Sequence, residues 1–157
     1  MFCDLTKNTQ LKKMLGDSRS SFTLFAPTDE AITNALAKDI DPTDTDFLED
    51  LFLYHIVFTQ LQSKNIDCDL PVIPPLRMAN GAITNIQCVS AAIFVVGGGN
   101  TGDELPKVIE ADIGTCNGIV HAIDEVILPA SESLKDTDNN AINVDEDCVE
   151  FGTMGRL

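Results

Sequence analysis

The chain has 157 residues, enough for one domain, or one domain and a tail, with a core that removes about two-thirds of the unfolded surface from water. It is 44% hydrophobic but has no Trp and one Tyr, which leaves few aromatic anchors for a flat binding surface. Twenty-five acids against ten bases give a net charge of −15, a field that repels phosphate backbones and anionic lipid; nucleic acid and polybasic membrane docking are poor partners, and divalent cations and basic partners are favoured.

Residues 2–15 predict an amphipathic helix, with Phe2, Leu5, Leu11, Met14 and Leu15 near one face and Gly16 as its stop. Phe22 to Ala26 alternates as a short strand. Pro27 ends it, and Thr28 is placed to cap a helix that begins at Asp29, where two first-turn carboxylates, Asp29 and Glu30, suit the helix dipole. After the capping turn 41–46, Phe47, Leu48, Leu51 and Phe52 form a helical stripe, and Tyr54 to Phe58 reads as extended. Thr59 to Ile66 is a polar connection with room for one helical turn. From Leu70 the pattern becomes β, beginning with an irregular edge strand interrupted by Pro71, Pro74 and Pro75. Asn80-Gly81 signals a hairpin, followed by strands over 83–89 and 92–96. Gly97 to Gly102 reads as a mobile loop, Val108 to Ile113 as a strand, Asn117-Gly118 as a turn and Ile119 to Leu128 as the closing strand stopped by Pro129. Helices first and strands later indicate an α+β fold. Beyond Pro129 the apolar pattern thins, and residues 130–157 read as an acidic linker or tail. No apolar run is long enough to span a membrane.

Five cysteines are present and none forms a C-x-x-C pair, so zinc and thioredoxin-like chemistry lack their usual spacing. In an exported chain they would form bridges. Cys68 and Cys88 flank the Asn80-Gly81 turn and can meet across neighbouring strands. Cys3 and Cys116 can join the first helix to the closing strand region, which leaves Cys148 over.

His121 and Asp124 invite a catalytic reading, but three residues apart on a strand they point to opposite faces. No G-x-S-x-G motif supplies a nucleophile, and Ser90 lies in an ordinary strand context. His121 is expected to point inward and hydrogen-bond a core polar group near the Thr28/Asp29 corner. The glycine-rich loop is followed by Asp103 and Glu104 where a phosphate cradle needs Lys-Ser/Thr. In the tail, Asp136, Asp138, Asn140 and Asp147 partly match a calcium loop. Ala141 stands where the sharp turn wants Gly, and Asp147 where an EF-hand wants Glu, so a solvated linker is the better reading. Neither a cofactor nor a metal is expected.

Three segments carry a resemblance. Phe22-Thr23-Leu24-Phe25-Ala26-Pro27-Thr28-Asp29-Glu30-Ala31, Leu53-Tyr54-His55-Ile56-Val57 and Asn117 to Pro129 resemble, in order and spacing, the motifs of the fasciclin (FAS1) domain. The resemblance covers residues 1–129 and implies the FAS1 fold: a β-wedge of two sheets with a flanking layer of helices. It implies an N-terminal edge that begins one strand and turn late, and a chain that is one unit of a longer multidomain protein. It also implies an extracellular module, secreted or attached to the cell surface. Such a module is non-catalytic and works in cell adhesion, binding cell-surface or matrix proteins; a polysaccharide-associated cell-wall domain is the alternative. By the same resemblance Thr28, Asp29, His121 and Asp124 stabilise the fold. Leu53, Tyr54, His55, Ile56, Val57 and Phe58 match the Tyr-His stretch implicated in partner recognition, with Leu53, Tyr54, His55 and Ile56 as the candidate contacts, against the alternative that this stretch is core packing. There is no Arg-Gly-Asp tripeptide.

Overall fold

Large apolar side chains on both faces of Phe22–Pro27 (β1) demand a strand buried on both sides, and the chain builds its architecture around it. The structure, a computed structural model, describes residues 15–130 apart from 18, 39 and 103. The remaining elements are α1 (Asp29–Lys38), α2 (Thr45–Leu53), β2 (Ile56–Val57), β3 (Leu76–Arg77), β4 (Ile83–Val89), β5 (Ala92–Val96), β6 (Val108–Gly114) and β7 (Gly118–Ile123), with a 3-10 turn at Ser63–Asn65. The expected first helix lies outside the described residues except for Leu15, which is helical together with Gly16.

One sheet runs β2-β1-β7-β6, the other β3-β4-β5. Within the first, β1 and β7 are parallel, from Phe22↔Gly118 to Pro27↔Ile123, and the other pairings are antiparallel. A side chain at Gly118 has no room: its Cβ would stand 2.6 Å from the Phe22 carbonyl oxygen. The second sheet is joined to the first by one bridge, Phe94↔Lys107, and by Val95 N–H donating to the Pro106 carbonyl at 2.8 Å. The fold is α+β, as the element order predicts.

The period-two alternation of β1 sends its side chains into two cores. Phe22 and Leu24 pack with Ala31, Leu48, Leu51 and Phe52 of the helices, whereas Phe25 packs with Tyr54, Val57, Met78, Val95 and Ile123 between the sheets. Helix starts follow the expected chemistry. Thr28 Oγ1 accepts from Ala31 N–H at 3.2 Å, and Asp44 caps α2 by accepting from Phe47 N–H at 3.0 Å.

Several expectations are corrected. The strand expected from Leu70 shrinks to Leu76–Arg77, because Pro71, Pro74 and Pro75 have no N–H to give a ladder. The closing strand ends at Ile123, where Asp124 turns the chain back onto Lys107. The glycine-rich loop is a packed seat. Added Cβ atoms at Gly97 and Gly99 would stand 2.2 and 2.3 Å from the carbonyl oxygens of Leu128 and Pro129. Asn100 completes this seat by accepting from Gly97 and Leu128 N–H and donating to the Val126 carbonyl. The β4–β5 turn uses Ser90 and Ala91 at φ 50° and 67°, left-handed geometry that fits a two-residue hairpin but carries no Gly or Asn to announce it.

Candidate functional site

The Tyr-His segment begins as the end of a helix. Tyr54 is the C-cap of α2 at φ −70°, ψ −6°, so the chain is not yet extended there and the strand is only Ile56–Val57. Tyr54, His55 and Ile56 are therefore all buried, at 1%, 1% and 0% exposure, and Leu53 is half-buried. Of the four residues expected as a contact surface, the fold buries Tyr54, His55 and Ile56 and leaves part of Leu53 accessible. Tyr54 packs in the core between the sheets and Ile56 in the core under the helices.

Each polar atom in this segment is spent on the fold. The Tyr54 hydroxyl donates to the Ile83 carbonyl at 2.8 Å and so ties α2 to the second sheet. His55 Nδ1–H donates to the Leu51 carbonyl at 2.7 Å, and Ile127 N–H donates to Nε2 at 3.0 Å. That pattern fixes the neutral Nδ1–H tautomer. Burial pushes the His55 pKa down to about 4, with the bond to Leu51 acting weakly in the opposite direction.

His121, on β7, is buried at 1% exposure and stacks on Phe25 with ring centroids 5.5 Å apart. It points inward as expected, but its partners are not at the Thr28/Asp29 corner. Nε2–H donates to the Leu61 carbonyl at 2.8 Å, and Nδ1 accepts from Asp112 N–H at 3.2 Å, the tautomer opposite to that of His55. Asp112 is free to present this N–H because it sits at φ 60° among the register shifts of β6. Its carboxylate accepts from Ser63 N–H at 2.8 Å and from the Ser63 hydroxyl, bonds that hold its pKa below the usual carboxylate range. Buried Thr23 donates to the Thr59 carbonyl at 2.6 Å and accepts from Leu61 N–H at 2.8 Å. Thr23, His121 and Asp112 thus sew residues 59–63 onto the first sheet.

Asp124 accepts from Lys107 N–H at 2.8 Å and is a turn-stabilising residue, remote in role from His121. The Asp29 carbonyl accepts from Thr33 Oγ1 at 2.8 Å inside α1. Asn117 Nδ2 donates at 2.9 Å to the carbonyls of both Leu15 and Asp17, which ties the β6–β7 turn to the chain ahead of β1. Sequence reading misses Asn117, Asn100 and Asp112 as fold residues, since each has partners far along the chain that no local pattern marks.

Cys68 and Cys88 form a disulfide with Cα atoms 5.6 Å apart, although Cys68 stands in a loop and not on a neighbouring strand. Cys116, expected to bridge to Cys3, is an exposed free thiol; Cys3, Cys148 and the calcium-like tail segment lie outside the described residues. Among the described residues, no three His, Cys, Asp or Glu side chains gather as metal ligands, and no helix is long and apolar enough to cross a membrane. At the outer end of the Tyr-His segment, Phe58 is 54% exposed beside exposed Thr59 and Gln60.

A mixed sheet whose central strand pairs in parallel with the last one, joined to a hairpin sheet and pinned by two buried histidines, defines an α+β module. The family model for the fasciclin domain matches residues 1–129, and the chain belongs to that family. It is similar to Protein sll1483 of Synechocystis sp., at 29% identity over 112 residues, 69% of this chain and 55% of that protein. It is also similar to human periostin, at 28% identity over 131 residues, 82% of this chain and 14% of periostin. The chain therefore spans about half the length of the first relative and a small part of the second. A solved FAS1 domain pair from the insect cell adhesion molecule Fasciclin I shares the fold, with a TM-score of 0.63 at 24% identity over 80% of this chain and 43% of that one.

Proposed function

We propose that this domain is a non-catalytic, extracellular adhesion or matrix-interaction module that binds protein partners at the cell surface. Family membership supports the reading, as does the description of Fasciclin I as a cell adhesion molecule. The observation that carries it is the use made of the chemistry-bearing side chains. His55, His121 and Asp124 are engaged with the backbone, and an exposed phenyl ring, Phe58, follows directly on the buried Tyr-His segment. Aromatic side chains are strong contact anchors because they bury a large area on binding and have few rotatable bonds to fix. Phe58 is the residue through which the Tyr-His segment reaches a partner.

The test is binding of the oxidised domain to immobilised cell-surface proteins and matrix polysaccharides, with calcium and with chelator. Protein binding that is lost in a folded Phe58→Ala variant supports the reading. Binding to polysaccharide alone moves the domain to a cell-wall role, against which the single exposed aromatic among the described residues argues, since sugar stacking draws on several rings. Catalytic turnover that depends on His121 or Asp124 would refute it.

A further inference from the structure

We propose that the outer face of the second sheet docks an acidic amphipathic helix of a partner protein. This deepens the adhesion reading and rests on it. Residues directly opposite each other in an antiparallel pair share a face, as does every second residue along a strand. Arg77↔Ile83, Asn85↔Val96, Gln87↔Phe94 and Val89↔Ala92 therefore stand on one face, and the bridge Phe94↔Lys107 extends it to Lys107. Thr84, Ile86 and Val95 occupy the other face and are buried, so this one points away from the core. Helices α1 and α2 pack against β1 and leave it uncovered.

The face differs in charge from the rest of the chain. Ile83 and Val89 are 47% and 57% exposed, and Ala92, Phe94 and Val96 are half-buried between them. The polar side chains at 85 and 87 are uncharged amides. The chain has twenty-five acids, yet none stands at these positions. The charges on the face are Arg77 and Lys107, both exposed and neither in an ion pair among the described residues. An apolar strip flanked by two unpaired bases is complementary to an apolar strip flanked by acids.

Size and backbone chemistry select a helix as the occupant. The face runs about 20 Å along β4 and about 14 Å across four strands, room for one helix of about 13 residues. That is roughly 300 Å², well short of the roughly 800 Å² per partner of a standard domain interface. The N–H and C=O groups of a sheet lie in its plane, so the face offers side chains alone. An extended segment laid across it would bury its own backbone groups unpaired, whereas a helix satisfies them internally. Arg77 and Lys107 stand at opposite margins, in the rows of Ile83 and Gln87, about 13 Å apart along the strand direction. A helix parallel to β4 covers that distance in about nine residues, or two and a half turns, which places two carboxylates on opposite flanks of one apolar stripe. A second copy of this chain and an anionic membrane are both poor occupants, because a body of charge −15 repels them.

The probe is a hydrocarbon-stapled helical peptide of about 18 residues, with a leucine stripe and two glutamates nine residues apart on its flanks. It is titrated into the full, oxidised chain beside the same peptide with glutamine in place of glutamate. The overall field of the chain disfavours the glutamate peptide, so tighter binding of that peptide, by about fivefold, is the signature of the two local bases. The methyl signals of Ile83, Val89 and Val96 should shift on binding, and Arg77→Gln/Lys107→Gln should abolish the preference for glutamate. Absence of binding, equal or tighter binding of the glutamine peptide, a preference that persists in the folded double variant, or shifts confined to other methyls overturns the proposal. If the double variant fails to fold, the methyl map on the unmodified chain decides. Surface-protein binding that survives in a folded Ile83→Asp/Val89→Asp variant but is lost in Phe58→Ala would sink the docking face and leave the adhesion reading standing.

Discussion

His55 should make the stability of this domain fall steeply in mild acid. Folded, its imidazole titrates at about 4 because burial disfavours the charged ring, and Nε2 already accepts the Ile127 N–H; unfolded, it titrates near 6.5. Between these values the unfolded chain binds a proton that the folded chain refuses. Stability is therefore full above pH 6.5, declines as the pH drops toward 4, and levels off below that. The whole gap corresponds to about 3 kcal/mol, with a slope of at most about 1.4 kcal/mol per pH unit. The assay is urea denaturation at pH steps from 7 to 4 on the wild type and on His55→Gln, which cannot titrate. Many carboxylates titrate in the same range, and taking the difference between the two proteins removes their common contribution. A difference that stays constant across the window would refute the burial argument. A difference that closes as the pH falls would confirm it.

Three further outcomes follow from the same geometry. His121→Ala removes a donor to the Leu61 carbonyl and the acceptor of the Asp112 N–H, so it should cost about 1–3 kcal/mol in a melting or urea experiment and speed amide exchange at Asp112. An unchanged melting curve would contradict the buried role. Replacing Cys68 and Cys88 with Ser opens a loop of 20 residues and should cost about 3 kcal/mol by chain entropy, read as a lower urea midpoint. Gly99→Ala should destabilise far more than Gly102→Ala: the first drives a Cβ into the Pro129 carbonyl, whereas the second meets nothing within 4 Å and carries only the cost, about 1 kcal/mol, of φ 70°. Equal effects would mean that the glycine loop is not a packed seat.

The parts of this fold that are legible in the sequence are those whose causes are local. Pro27-Thr28-Asp29 announces a strand-to-helix corner because a stop, a cap and a dipole partner stand side by side. Asn80-Gly81 announces a hairpin because the turn needs a left-handed residue, supplied by Gly81 at φ 88°. The inward aim of His121 is legible too, from its place in an apolar strand. Its partners are not, since nothing in the sequence marks the Leu61 carbonyl or the Asp112 amide as special. The Tyr-His segment shows how a period-two argument fails at a junction. It takes the chain as extended from Tyr54, but Tyr54 still has helical angles, and with a core on either side both Tyr54 and His55 end up inside. The glycine run misleads for a different reason: small residues mark mobility and close packing equally well, and only the opposing Leu128–Ala130 segment distinguishes them.

The parallel pairing of β1 with β7 governs how the chain reaches this structure. Strand β1 needs β7, made 96 residues later, before either core is closed, and contacts so distant in sequence slow the search for the native state. A ribosome releasing this domain must therefore present it almost whole before it can fold. Until then, the apolar faces of β1 and α2 wait uncovered, and the heavy negative charge of the chain keeps such intermediates apart. Any truncation that removes β7 should accordingly leave an unfolded chain and not a smaller domain.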